Sequence, residues 1–212
     1  MKRIVFALLA LTLLISMASC AETAKETETK TEEITAATQE AEEITTEETE
    51  QVQEVADNAT STLLNKAWDK MGEDKQFPVY GGTMEAPVDG KAGAIDLKNV
   101  ESITSALHIT EEDLGKVINA AAITHMMNAN TFTCAAYQVK SDDAAAFASS
   151  LKDSIKATQW MCGFPETLVI YTVDGEYIVA AFGNGEAIDN FEAGLNEAYG
   201  ASAVLTVEEA LA

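Results

Sequence analysis

The chain has 212 residues, 47% hydrophobic letters and a formal net charge of -22, with 35 acids against 13 Lys and Arg. Arg3 is its only arginine, so no guanidinium fork is offered to phosphate and the field repels polyanions, which excludes nucleic-acid binding and attraction to an anionic lipid surface. The acidity is shared: residues 21–57 hold 13 acids and 2 lysines, residues 58–212 hold 22 acids and 9 lysines.

Lys2 and Arg3 precede a mostly apolar run over 4–17, the charged start and hydrophobic middle of a secretory signal. The run ends in Met17-Ala18-Ser19-Cys20, after which the chain turns polar. This stretch resembles a bacterial lipoprotein signal, with Ala18 and Ser19 at the small positions of the lipobox. The resemblance implies removal of residues 1–19, a diacylglycerol on the sulfur of Cys20, acylation of the new N-terminus, and a protein held on the extracytoplasmic face of the cell membrane. Two acyl chains give stable anchoring where one does not.

Residues 20–57 are Cys20 and a segment of Thr, Glu and Ala whose large apolar residues are Ile34, Ile44, Val52 and Val55. Too little can be buried there to offset chain entropy and like-charge repulsion, so the segment reads as a disordered tether. A flexible chain of this length has an end-to-end distance of roughly 35 Å, which would float a domain clear of the headgroups.

From residue 58 to 212 the composition is that of one globular α+β domain. Leu64, Ala67, Trp68 and Met71 recur at helical spacing, predicting a helix over 60–71. Residues 77–94, with four glycines and two of the three prolines, read as loop with a short extended piece at Val79 and Tyr80. Asp96 is the expected cap of a second helix through Leu97, Val100, Ile103 and Leu107. Thr110 to Asp113 has the form of a capping box and predicts a third helix running through Leu114, Val117, Ile118 and Ala121.

The second half predicts strand, helix, strand, strand, helix, strand. The strands are expected at 131–140, 167–173, 176–182 and 202–207; Ser141 is the expected cap of the first helix, and the second follows Gly183-Asn184-Gly185 and ends at Gly200. Asp174-Gly175 between two β-rich runs is a strong hairpin signal. The order is that of a ferredoxin-like βαββαβ unit, an antiparallel sheet with both helices on one face.

The lipobox, the acidic Thr/Glu segment, Met126-Met127-Asn128 before a strand, the turn over 140–143 into a helix and the C-terminal hairpin and helix together resemble lipoproteins of Clostridia-type bacteria whose shared domain has no assigned activity. The likeness covers 107–212. It implies location and domain extent and carries no catalytic residue.

Candidate chemistry is sparse. His108, His125, Cys134, Cys162, Met126, Met127 and Met161 are the soft or borderline donors, yet no Cys-x-x-Cys or similar ligand spacing occurs, so no residue is assigned to a metal or cofactor. With Cys20 lipidated, Cys134 and Cys162 form the candidate disulfide. Gly183-Asn184-Gly185 at a helix start is a candidate anion cradle that competes with Glu186 in the same turn. Trp160, Met161 and Phe164 sit in a connection that should be polar, and they are the candidate contact loop; the alternative is a lid over the end of the sheet. No G-x-S-x-G, H-E-x-x-H or P-loop is present. The expectation is a membrane-anchored, non-enzymatic binding or interaction module. The alternatives are an enzyme or metal carrier assembled from dispersed residues, and a purely structural envelope protein.

Overall fold

Asn58 opens the first helix of the domain, its side chain accepting the N–H of Ser61 while the Ser61 hydroxyl accepts that of Asn58, a reciprocal cap. The computed structural model describes residues 58–211, so the leader, Cys20 and the acidic segment lie outside the described residues. Helix α1 (Ala59–Lys70) buries Leu63, Leu64, Ala67 and Trp68. Strands β1 (Val79–Thr83), β2 (Ala86–Asp89) and β3 (Gly93–Ala94) then occupy the stretch expected to be loop. Helix α2 (Val100–Leu107) is capped by Asn99 rather than Asp96, whose carboxylate instead accepts the N–H of Lys98.

The expected third helix stops after one turn, α3 (Glu111–Leu114), and the rest of it is strand β4 (Val117–His125). Alanine favours a helix by local propensity, but here Ala121 and Ala122 face Ala136 and Ala135 across the sheet, and both faces of the strand are buried. Burial on two faces outweighs a preference worth tenths of a kcal/mol per residue, about 0.5 kcal/mol for a typical helix-indifferent residue.

Strand β5 (Phe132–Val139), helix α4 (Ala144–Lys156), strands β6 (Thr167–Val173) and β7 (Tyr177–Gly183), helix α5 (Gly185–Tyr199) and strand β8 (Ala203–Ala210) keep the expected succession. Asp174 and Gly175 turn the hairpin with φ of 51° and 79°, the paired left-handed geometry a two-residue turn needs. Asn184 caps α5, its side chain accepting the N–H of Ala187; α4 begins after Asp143 without a side-chain cap, so Ser141 does not serve as one.

The strands form one antiparallel sheet ordered β2-β1-β4-β5-β7-β6-β8, with β3 also paired to β4. A ferredoxin-like sheet would seat β8 beside β5; β4 holds that edge, and β8 joins β6 instead. The crossovers β5-α4-β6 and β7-α5-β8 therefore step the same way across the sheet from strands that run in opposite directions. Sharing one hand, they must place their helices on opposite faces. The expected single helical layer is corrected accordingly to one layer on each face. Leu64, Trp68, Phe191 and Leu195 of α1 and α5 pack on Ile123, Cys134, Val169 and Val179, while Ile103, Phe147 and Leu151 of α2 and α4 pack on Ala122, Tyr137, Ile170 and Ile178. Strands covered on both faces read as unbroken apolar runs, as LVIY and IVAAF do.

Among the described residues no helix is long and apolar enough to cross a membrane. The edge strand β8 exposes Val204 and Leu205, but an extra residue at Thr206 breaks the ladder and Glu208 and Glu209 add charge, devices that discourage edge-to-edge pairing.

Candidate functional site

Two loops meet at one end of the sheet. The first joins β4 to β5 over residues 126–131. His125, the last residue of β4, accepts the backbone N–H groups of Met127 (3.1 Å) and Asn128 (3.3 Å) on Nδ1. Asn128 Oδ1 then accepts the N–H of Asn130, and the Thr133 hydroxyl donates to the carbonyl of Ala129. With the backbone wound this way, Met126 is 48% exposed and Met127 83% exposed.

The second loop runs from α4 to β6 and contains the expected contact residues. Trp160 turns inward, its ring 4.8 Å from that of His108 and 5.2 Å from that of Phe182, half-buried over the end of the core. Met161 and Phe164 turn outward, 79% and 71% exposed. Cys162, also exposed, takes a left-handed φ of 62°, and Gly163 follows at 134°. The loop is thus lid at Trp160 and free surface at Met161 and Phe164, so the two expectations each describe part of it.

The loops are joined by two asparagines. Asn128 Nδ2 donates to the carbonyl of Cys162 at 3.1 Å, and Asn130 Nδ2 donates to those of Met161 (2.9 Å) and Gly163 (3.0 Å). The result is a single lip bearing Met126, Met127, Met161 and Phe164. Residues 126–131 and 157–165 contain no charged side chain, on a body that carries 22 acids. Large apolar groups exposed together without flanking charge are what interaction surfaces show and solvated loops do not. Sequence reasoning found Met161 and Phe164. It carried Met126 and Met127 only as soft donors ahead of a strand, and it gave no role to Asn128 and Asn130, whose Asn-x-Asn spacing just before that strand was the available signal.

Beside the lip lies an open cleft of about 260 Å³ between Lys75, Phe77, His125, Thr131 and the start of α5 at Asn184 and Glu186. The anion cradle expected there is taken by the chain itself. Gly185 donates its N–H to Glu166 Oε2 at 2.8 Å and Ala187 donates to Asn184 Oδ1 at 2.9 Å, so a carboxylate of the protein already sits where an external anion would.

The remaining candidates are dispersed. Cys134 is buried mid-strand, its thiol pushed up by desolvation, and Cys162 lies on the lip; both are free thiols, so the candidate disulfide is not formed. His108 is enclosed beneath Trp160 with Nδ1 3.2 Å from the Thr158 hydroxyl, and desolvation holds its pKa down. His125 packs against Phe77 on the other side of the sheet. Cys134 is fully buried and Cys162 is exposed, so the two thiols do not line one open pocket. Among the described residues no group of three or more His, Cys, Asp or Glu is placed to hold a metal.

One buried acid stands out. Asp113 is paired with Lys116 at 2.7 Å and accepts the hydroxyls of Thr110 and Ser150. Burial works to raise its pKa, but the hydrogen bonds from Lys116, Ser150 and Thr110 outweigh that and hold it low. With these partners taken up and the carboxyl enclosed, the cluster pins α3 to α4; it presents no activated nucleophile.

Comparison of the chain with protein-family models, with curated proteins and with solved structures finds no match.

Proposed function

We propose that this protein is an extracytoplasmic binding module, carried on a lipid at Cys20 and an acidic tether, whose working surface is the lip of Met126, Met127, Met161 and Phe164. The observation that carries the reading is the outward presentation of these four side chains on loops held by Asn128 and Asn130. Because the backbone is already ordered, a partner pays little loop entropy to bind, which favours affinity per unit of contact. The lack of charge over 126–131 and 157–165 suits an apolar, uncharged counter-surface and counts against an anionic or a cationic peptide. The non-enzymatic part of the reading is supported by the satisfied state of Asp113 and by the burial of Cys134 away from the surface.

The test is a photo-activated phenylalanine analogue placed at Phe164 in the full-length protein in its native cells, with the same group at Glu197 on the opposite end of α5 as control. Discrete cross-linked species from position 164 alone support the reading. No adduct, or equal adducts from both positions, would overturn it. For the anchor, Cys20→Ser should move the protein from the membrane fraction to the medium, and unchanged fractionation would contradict lipidation.

A further inference from the structure

Four of the seven sulfur atoms of the domain come to the lip. Beyond residue 58 the chain has five methionines, two cysteines and two histidines. Three of those methionines, Met126, Met127 and Met161, stand exposed on the lip with the exposed thiol of Cys162. The carbonyl of Cys162 is 3.1 Å from the Asn128 amide and that of Met161 is 2.9 Å from the Asn130 amide, so residues 34 and 31 apart in sequence are held side by side. A thioether on three rotatable bonds can reorient without a backbone change.

We propose that the lip binds one Cu(I) ion through the thioether sulfurs of Met126, Met127 and Met161 and the sulfur of Cys162. This rests on the reading of the lip as the working surface and assigns it a ligand. Neutral thioethers select soft monovalent copper over zinc, magnesium or calcium, and the one carboxylate in the two loops, Glu166, is already taken by the N–H of Gly185. His125 is not a ligand here. A metal-bound imidazole donates its second nitrogen, whereas Nδ1 of His125 accepts two backbone N–H groups. Cys134 is sealed in the core and cannot join. The acidic body, with 22 acids against 9 lysines, raises the local concentration of a cation without supplying a ligand to it. On binding, the Cys162 S–H bond breaks, its proton goes to solvent and a copper–sulfur bond forms; copper keeps its oxidation state throughout.

The experiment is a competition for Cu(I) between the reduced mature protein and a chromophoric Cu(I) chelator under anaerobic conditions. The expected result is capture of one equivalent, with affinity falling by more than about tenfold in each of Met127→Leu, Met161→Leu and Cys162→Ser, since losing a direct ligand costs at least as much as losing its supporting partner. Leucine keeps the apolar volume, and the sites are exposed, so folding is unaffected. The same leucine variants should still cross-link from position 164. Cross-linking without copper capture by the wild type overturns the metal site alone; copper capture without cross-linking overturns the macromolecular contact alone. Variants that bind copper as tightly as the wild type would also refute these ligands.

Discussion

Replacing Trp160 by alanine separates the two halves of its loop. Full truncation of a buried tryptophan costs about 3–5 kcal/mol, and each aromatic pairing adds about 0.5–1.5 kcal/mol beyond area. Trp160 is half-buried and pairs with His108 at 4.8 Å and Phe182 at 5.2 Å, so the expected loss is about 2–3 kcal/mol. For a domain of this size that lowers the melting temperature by about 4–12 °C. Phe164, 71% exposed, should cost less than about 0.5 kcal/mol when cut to alanine. Urea titrations of both variants, with m unchanged, measure the difference. The reasoning fails if Trp160→Ala is neutral while Phe164→Ala destabilises by more than about 2 kcal/mol.

Three further outcomes follow from the packing. At Gly194 in α5 a β-carbon would lie 2.4 Å from the Ala67 carbonyl of α1, so Gly194→Ala should destabilise by about 1–3 kcal/mol in thermal melts, where an uncrowded helix would gain about 1 kcal/mol. His108 has its pKa lowered from 6.5 by burial, so the unfolded state binds the proton more tightly. Its contribution is complete above pH 6.5 and is lost as pH falls through the lower, folded value; His108→Asn should flatten that part of the stability–pH curve, and an unchanged slope would refute the assignment. All five tyrosines are raised above 10.0, first by desolvation, with Tyr171 pushed up to about 12 where its hydroxyl also meets Glu192 at 2.6 Å. Ultraviolet titration of the native protein should therefore show phenolate only above the range of free tyrosine, with a normal curve in denaturant.

What was legible in the sequence was what local rules decide. Asp174-Gly175 fixed a hairpin because the turn itself demands those residues, and Asn184 and Gly200 bounded α5 for similar reasons. The segment VINAAAITH was misread because its state is set by Ala135, Ala136 and Tyr137 on a neighbouring strand, which local propensity does not contain. That single change propagated: once β4 takes the free edge of β5, β8 must go to β6, and the second helix changes face. The site shows the same division. Bulky groups in a loop were visible as an anomaly at Met161 and Phe164, but their union with Met126 and Met127 depends on hydrogen bonds from Asn128 and Asn130 that span more than 30 positions.

Cys162 offers the most direct test of the lip, since Cys134 is buried and a lipidated Cys20 has no free thiol. The measurement is the rate at which a membrane-impermeant maleimide labels Cys162 on intact cells, compared with the purified protein and with a Phe164→Ser variant on cells. An occupied lip facing outward predicts slow labelling on cells, restored in the variant and in the purified wild type. Equal rates for wild type on cells and in isolation would show the lip unoccupied, and labelling that requires lysis in both wild type and variant would contradict the extracytoplasmic placement.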